Sequence, residues 1–197
     1  MADFHQNGHV ATLHNLRADN TGTLERELEV LSAHRKITLI LPSLFSELEG
    51  PALANIVKEL SGARFISNIV IGLDRATEAE YRHAREFFSV LPQPHSILWN
   101  DGPRLKAIDT RLKEAGLSPE EPGKGRNVWY CIGYTLARRD SDVVALHDCD
   151  IVTYSREMLA RLIYPVANPA FSYLFCKARS SGLTSSRLTR PFILPPA

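Results

Sequence analysis

The chain has 197 residues, of which 44% are hydrophobic and 23% charged, and its formal net charge is +1. This composition excludes a disordered chain and is typical of one large domain, or of one domain with arms. The balanced charge argues against nucleic acid or an acidic membrane surface as a partner. No apolar run reaches the roughly 18 residues that span a bilayer. The amino terminus lacks a secretory signal, and the three widely spaced cysteines match neither a disulfide scaffold nor a zinc site, so we expect a cytoplasmic protein.

The amino-terminal segment, residues 1–34, is polar and weakly patterned, and we interpret it as an arm. Leucines recur inside it at helical spacing, which predicts a short helix over 23–31. The next run, 36–42, is β-branched and apolar and stops at Pro42. Such a run is typical of a strand that is buried on both faces of a parallel sheet.

Strands and helices alternate along the rest of the chain. After the first strand the predicted elements are, in order, a helix from Pro51 to Gly62, a strand over 65–74, a helix that starts at the capping box of Thr77 and Glu80, a strand over 95–99, a helix over 105–116, a loop over 118–125, a helix over 128–136, a strand that ends at residues 148–150, a helix over 156–163 and a strand over 171–176. This order predicts an α/β fold, with a mostly parallel, Rossmann-like sheet and helices on both of its faces.

The carboxyl-terminal segment, residues 177–197, is rich in Ser, Arg and Pro and has little apolar periodicity. We interpret it as an irregular tail, or as the point where the chain stops before its fold is finished. The predicted division is therefore an arm over 1–34, an α/β domain over 35–176 and a terminal segment over 177–197. A truncated sheet with an exposed apolar face would favour self-association into a homo-oligomer.

The acidic triplet Asp148-Cys149-Asp150 follows the apolar run 143–146. Ligands of open α/β sheets collect at the carboxyl ends of the strands, and two carboxylates one residue apart can bind Mg²⁺ or Mn²⁺, which in turn can bind a diphosphate. The alternative is a strand that enters solvent with acids on its turn, because such triplets also occur by chance. We expect His147 to be a packed neighbour of these carboxylates, and no base is at hand to make Cys149 a nucleophile.

The segment from Gly123 to Asn127 precedes a predicted helix. Backbone amides at a helix start attract anions, its two glycines allow a close approach, and Lys124 adds a mobile positive charge for phosphate. The glycine spacing of a Walker motif is missing. The alternative is an ordinary loop with a solvated lysine.

Small polar groups follow the first strand in the segment Pro42–Glu47. They could contact a base or a ribose, and the alternative is a plain strand-to-helix turn capped by Ser46. Asp74 ends the second strand and could accept hydrogen bonds from a uracil or guanine edge, whereas the alternative is an acid that simply precedes a helix.

The segment from Ser186 to Arg190 offers two guanidinium groups, on Arg187 and Arg190, and the hydroxyl of Thr189. Guanidinium groups match the geometry of phosphate and carboxylate. A solvated basic tail is the alternative interpretation.

Taken together and in this order, four segments resemble those of the retaining glycosyltransferases with the A-type nucleotide-sugar fold, in particular the glucosyl-3-phosphoglycerate and mannosylglycerate-type synthases. The four segments are Ile40–Leu44, Gly123–Gly125, Asp148–Asp150 and Ser186–Arg190. The chain departs from the family pattern at Ser186, where the family has glycine, and at 45–47, where Phe-Ser-Glu replaces Asn-Glu-Glu. Family members also continue well past residue 197, with a later histidine metal ligand and much of the acceptor pocket.

The resemblance implies a nucleotide-diphospho-sugar transferase sheet that lacks its carboxyl-terminal part. It implies metal-dependent transfer of a hexose from a nucleoside diphosphate sugar, with UDP-glucose favoured, to 3-phosphoglycerate or a similar acceptor, with retention of configuration. The implied residue roles are base contacts by Pro42, Ser43 and Leu44, a nucleotide contact by Lys124, a ribose or metal-shell contact by Asp148, direct Mg²⁺ or Mn²⁺ binding by Asp150, and acceptor binding by Arg187, Thr189 and Arg190. No catalytic residue is assigned.

Two other functions stay open at this point. The first is a non-catalytic module that binds nucleotide sugars. The second is a nucleotidyltransferase, which also uses acidic strand ends and a basic loop, although the glycine-rich nucleotide loop of many such enzymes is missing after Leu41.

Overall fold

The computed structural model describes residues 21–119 and 121–177. Its elements are, in chain order, α1 (Thr21–Ser32), β1 (Ile37–Leu44), α2 (Phe45–Leu48), α3 (Pro51–Ser61), β2 (Asn68–Asp74), α4 (Glu78–Phe88), β3 (His95–Trp99), α5 (Pro103–Glu114), α6 (Lys124–Arg138), β4 (Val143–Leu146) and α7 (Arg156–Ala167). Within this part of the chain, no helix has the length and apolar character that a bilayer crossing requires.

The four described strands form one sheet in the order β3-β2-β1-β4, and every neighbouring pair is parallel. The pairing of β1 with β2 runs from Thr38 opposite Asn68 to Leu44 opposite Asp74. The predicted α/β fold with a parallel, Rossmann-like sheet is confirmed. Because all strands run in the same direction, their carboxyl ends lie along one edge of the sheet.

Both faces of the sheet are covered, as the continuous apolar runs predict. On one face, Ile40 and Val70 pack against Cys131 of α6. On the other face, Leu39 and Ile71 belong to a larger cluster that includes residues of α1, α3, α4 and α7. Side chains of a strand alternate between the two faces, so adjacent residues such as Leu39 and Ile40 serve different layers.

The predicted helix at 23–31 is confirmed as α1, and it packs against α7. Leu28 is fully buried in the larger cluster, and Arg156 Nε donates a hydrogen bond of 2.7 Å to Glu25 Oε1. This helix therefore contributes to the core of the α/β domain. The domain boundaries at residues 34 and 176 stay predictions, and residues 1–20 and 178–197 lie outside the described residues.

The prediction that Pro42 stops the first strand is wrong, because β1 continues to Leu44. The pairing of β1 with β4 ends at Ile40, whose carbonyl accepts the N–H of His147 at 3.1 Å. Residues two apart in a strand point their backbone groups to the same side, so the side on which Pro42 lacks an N–H is the side where β4 has already ended. The proline therefore removes no hydrogen bond from the sheet.

The predicted strand over 171–176 is also wrong, since the structure has no strand in this described segment. The N–H of Phe171 bonds to the carbonyl of Asn168 in a turn, and Leu174 is 64% exposed. A strand needs a partner for its backbone groups, and no described strand lies beyond β4 in the order of the sheet.

Candidate functional site

The carboxyl edge of the sheet carries a buried polar group at the end of three strands. Ser43 near the end of β1, Asp74 at the end of β2 and Asp148 just after β4 are each less than 7% exposed. These side chains therefore lie at the ends of buried, apolar strands. This is the edge where ligands of parallel sheets bind.

An ion pair joins Lys124 and Asp148, which are distant in sequence. The ammonium of Lys124 donates to Oδ1 of Asp148. The Asp148 side chain is 9% exposed, whereas the Lys124 side chain is 56% exposed. The structure thus brings together two residues that the sequence assigned separately, one to a cation and one to a phosphate.

Helix α6 begins at Lys124, four residues before the predicted start, so the glycine-rich segment forms its first turn. Gly123 is the residue before the helix and has φ +145°, a conformation that side-chain-bearing residues rarely adopt. Among residues 21–119 and 121–177, no atom lies within 4 Å of a Cβ built on Gly125, so these residues leave that side of the helix start open. The amide groups of a first helical turn have no acceptors within the helix and attract anions.

Gly72 of β2 allows α6 to approach the sheet closely. The Nδ2 group of Asn127 donates to the Gly72 carbonyl at 2.8 Å. A Cβ on Gly72 would lie 1.9 Å from Asn127 Oδ1 and 2.6 Å from Cys131 Sγ, distances that no packed carbon tolerates. This close contact sets the position of the helix start that carries Lys124.

The turn after β1 is held by Glu47 and not by Ser46, which is exposed. Glu47 Oε2 accepts the N–H of Leu44 at 2.9 Å. Burial is the main cause that raises the pKa of Glu47; the negative charge of Asp150 raises it further, and the ammonium of Lys124 lowers it. Glu47 therefore shares the electrostatic environment of Lys124 and Asp150, a role that the sequence analysis did not assign.

Asp74 is held by partners from two other elements. Asn100, directly after β3, donates to Asp74 Oδ1 at 3.2 Å. Arg126, from the first turn of α6, places Nη2 at 3.8 Å from the same oxygen, close enough for charge attraction but too long for a hydrogen bond. The Arg126 Nε group is buried and has no hydrogen-bond partner among the described residues.

The rest of the acidic loop divides into one exposed and two buried side chains. Asp150 is exposed, whereas Cys149 and His147 are buried. Burial raises the pKa of the Cys149 thiol, which keeps it protonated and unreactive. Burial lowers the pKa of His147 to about 4, and its ring packs against Tyr154 at a centroid distance of 5.2 Å. His147 is thus a packed neighbour, as the sequence predicts.

The carboxylates of Asp148 and Asp150 supply the oxygen ligands that a hard divalent cation prefers, but they do not form a complete coordination shell by themselves. Among residues 21–119 and 121–177, no group of three or more His, Cys, Asp and Glu side chains is placed to hold a metal ion. Mg²⁺ usually takes one or two protein carboxylates and completes its shell with water and substrate phosphates. Asp148 and Asp150 therefore fit a cation that binds together with a diphosphate.

Six of the predicted site residues lie around this one edge of the sheet: Pro42, Ser43, Leu44, Lys124, Asp148 and Asp150. Asp74 lies at the same edge but is already held by Asn100 and Arg126. The predicted acceptor residues Arg187, Thr189 and Arg190 lie outside the described residues. Glu47 and Arg126 lie in segments that the sequence singles out, but neither was given a role of its own.

No protein-family model matches the sequence. The glucosyl-3-phosphoglycerate synthase of Persephonella marina is 46% identical over 99% of this chain and 49% of its own length. The predicted resemblance to glucosyl-3-phosphoglycerate synthases is confirmed. The Methanococcoides burtonii synthase of the same name is 35% identical over 95% of the chain and 46% of its own length. The chain therefore spans about half the length of the curated relatives that it matches.

A solved structure of the Mycobacterium tuberculosis glucosyl-3-phosphoglycerate synthase, in complex with Mn²⁺, uridine diphosphate and glucosyl-3-phosphoglycerate, is also similar. It is 19% identical, covers 79% of this chain and 46% of its own chain, and superposes with a TM-score of 0.48.

Proposed function

We propose that this chain provides the donor site of a metal-dependent glycosyltransferase. In the proposed reaction a hexose moves from a nucleoside diphosphate sugar, with UDP-glucose favoured, to 3-phosphoglycerate or a similar phosphorylated acceptor, with retention. The observation that carries the proposal is the meeting of Lys124 and Asp148 at the carboxyl edge of the sheet, in a chain 46% identical to a synthase with this name.

The donor's diphosphate has a binding surface at the start of α6. The amides of the first turn and the ammonium of Lys124 supply positive charge, and no described residue fills the space beside Gly125 where the ligand would enter. The turn over Pro42, Ser43 and Leu44 lies at the same edge and would contact the nucleoside. Each of these contacts orients the donor before any bond changes.

The predicted cation is Mg²⁺ or Mn²⁺, held by Asp150 with Asp148 as a direct or water-mediated partner. When bound, such an ion stabilises the negative charge that develops on a departing diphosphate. Asp148 is buried and contacts Lys124 of α6, so it offers a fixed oxygen, whereas Asp150 is exposed and can adjust to the ligand.

The remaining assignments are proposals of the same kind. Arg187, Thr189 and Arg190 are proposed to bind the acceptor's phosphate, in an acceptor-side segment over 177–197. The assignment of Asp74 to the base stays a prediction from the sequence, because this carboxylate already has Asn100 and Arg126 as partners. A cytoplasmic location, the absence of nucleic-acid and membrane partners, and self-association stay predictions.

A transfer assay tests the proposal with the chain as it is. The chain is incubated with radiolabelled UDP-glucose, Mn²⁺ and 3-phosphoglycerate, and the product is separated and its anomeric configuration is determined by NMR. We expect a metal-dependent, α-configured glucosyl product. Donor binding is measured in parallel by calorimetric titration with UDP-glucose and Mn²⁺. Binding of the donor without any product would favour the non-catalytic module, and the absence of donor binding would contradict the proposal.

A further inference from the structure

The carboxylate proposed to take part in cation binding already has a positive partner. Asp148 is 9% exposed, and a carboxylate buried to this extent is costly unless a counter-charge lies beside it. Lys124 supplies that charge by direct contact with Oδ1. The contact lies inside the proposed donor site and involves two of its members.

The two partners differ in how easily they can move. Asp148 lies in the loop that follows β4, between the buried residues His147 and Cys149. The Lys124 side chain is 56% exposed and is carried on a flexible four-carbon stem. The ammonium can therefore leave the aspartate for water or for another anion without crossing the protein interior.

A divalent cation and the ammonium cannot both neutralise the same carboxylate oxygen at close range, because their positive charges repel. The first turn of α6 offers an alternative place for the ammonium, since a bound diphosphate would lie beside Lys124 itself. A cation at Asp148 is therefore bound less tightly while Lys124 stays on Oδ1, and a diphosphate gives the ammonium a new anionic partner.

We infer that Lys124 is an exchangeable counter-ion, which occupies Asp148 until a divalent cation and a diphosphate arrive together. This inference rests on the proposed donor site and adds how that site is controlled. Its consequence is that a diphosphate strengthens cation binding, and the cation strengthens diphosphate binding by the same factor. Cation binding without nucleotide is held weak by the protein's own lysine.

The coupling can be measured without any turnover. The affinity for Mn²⁺ is measured by the loss of its free electron paramagnetic resonance signal, in the absence and presence of saturating uridine diphosphate. In the unmodified chain we expect uridine diphosphate to raise the Mn²⁺ affinity by about tenfold, within the usual range of coupling between sites. In Lys124→Ala and in Lys124→Gln we expect Mn²⁺ alone to bind about five- to tenfold more tightly and the enhancement by uridine diphosphate to shrink accordingly.

Two matched variants separate this effect from a general change of charge. Lys124→Arg keeps the positive charge and should retain weak binding of Mn²⁺ alone. Lys58→Ala removes one positive charge from an exposed position on α3 and should leave the Mn²⁺ affinity unchanged. The Lys124→Gln variant keeps a hydrogen-bond donor for Asp148, and circular dichroism checks that both neutral variants are folded.

The outcomes distinguish this inference from the function on which it rests. If uridine diphosphate enhances Mn²⁺ binding but neither neutral variant binds Mn²⁺ alone more tightly than the unmodified chain, the exchange is wrong and the donor site stands. If Mn²⁺ binds to none of the proteins, with or without uridine diphosphate, both the donor site and the exchange are wrong.

Discussion

Two aspartates at the carboxyl edge of the sheet, Asp74 and Asp148, share a topological position but differ in their partners. Both are nearly buried, with side-chain exposures of 4% and 9%, and both face a cation from the first turn of α6. Asp74 also accepts a hydrogen bond from Asn100, and the side chain of its cation, Arg126, is only 23% exposed. Asp148 relies on Lys124, whose side chain is 56% exposed.

An acidic residue at a strand end is therefore not by itself a binding group. Asp74 has partners that are enclosed by the protein, so its contacts cost little to keep and much to break. Asp148 has a partner that can withdraw into solvent, and an exposed carboxylate, Asp150, lies two residues away. The two aspartates differ more in the exposure of their cationic partners, 23% and 56%, than in their own burial.

The largest effect is expected from Gly72→Ala, which acts on both aspartates because it displaces the helix that carries both cations. The new Cβ would lie 1.9 Å from Asn127 Oδ1, and the shift would break the Asn127 bond to the Gly72 carbonyl. Overpacking of this kind should lower the free energy of unfolding by about 3 kcal/mol. Urea unfolding measures it, with Gly133→Ala as the control.

Gly133 lies on the same helix, but a Cβ there would meet nothing within 4 Å. Gly133→Ala should raise the stability by up to about 1 kcal/mol, because alanine favours the helix. Equal stability of the two alanine variants would contradict the assigned contact between α6 and β2.

The second effect concerns the Asp148 side of the comparison. Asp150→Ala should remove the Mn²⁺-dependent part of the affinity for uridine diphosphate, roughly a thirtyfold loss or about 2 kcal/mol. Because Asp150 is exposed, the thermal stability should change little. Calorimetric titration of uridine diphosphate, in the presence of Mn²⁺ and in the presence of a chelator, measures the metal-dependent part of the affinity. An unchanged metal response would refute the role of Asp150.

The third effect concerns the Asp74 side. Arg126→Met keeps an unbranched apolar stem but removes the guanidinium charge that faces Asp74. It should lower the free energy of unfolding by about 1.5 kcal/mol, because a buried carboxylate loses one of its two partners. The affinity for uridine diphosphate should change less than the stability does.

The control for this variant is Arg111→Met, at an exposed position on α5. It should alter neither quantity. Loss of affinity in Arg126→Met with unchanged stability would reverse the comparison, and it would support the sequence-based assignment of Asp74 to the nucleotide base.

The smallest effect is expected at Asp109, a carboxylate that lies away from the strand ends and serves as a reference for the other two. Asp109 of α5 accepts hydrogen bonds from Tyr130, at 2.6 Å, and Ser118, at 2.5 Å, and it pairs with Lys113. Hydrogen bonds from these side chains, that of Lys113 first, hold the pKa of Asp109 well below its usual value of 3.8. A pKa lowered in the folded state stabilises the fold above the unfolded value and loses that contribution as the pH falls.

Asp109→Asn should therefore cost about 1 kcal/mol at neutral pH. The difference from the unmodified chain should shrink as the pH falls below the usual value of the carboxyl group. Unfolding curves recorded from neutral pH down to about pH 3 measure the trend. A penalty that is independent of pH would show that the charge of Asp109 contributes nothing.

The sequence predicts the layers of this fold well, because buried parallel strands and amphipathic helices each have a characteristic local pattern of apolar residues. The strand at Asn68–Asp74 and the capping box at Thr77 are examples. Local patterns fail where the outcome depends on a neighbour. Pro42 is tolerated only because β4 ends beside Ile40, and no spacing rule contains that information.

The sequence identified individual residues of the site but did not predict which of them contact each other. Lys124 and Asp148 were each assigned from their local context, yet their contact depends on how α6 lies across the sheet. The pairing of Arg126 with Asp74 has the same origin and was missed, because no short-range pattern links a helix start to the end of a strand earlier in the chain. Residues outside the described ranges keep their roles only as predictions.

The central claim is that Asp148 and Asp150 share a divalent cation with the diphosphate of a sugar donor at the carboxyl edge of the sheet. A crystal structure of the chain soaked with Mn²⁺ and uridine diphosphate, with anomalous scattering to locate the metal, tests it most directly. We predict a manganese peak between the Asp150 carboxylate and the diphosphate, with the phosphates beside the start of α6. Bound nucleotide with no metal beside these carboxylates, or nucleotide at another edge of the sheet, would contradict the account.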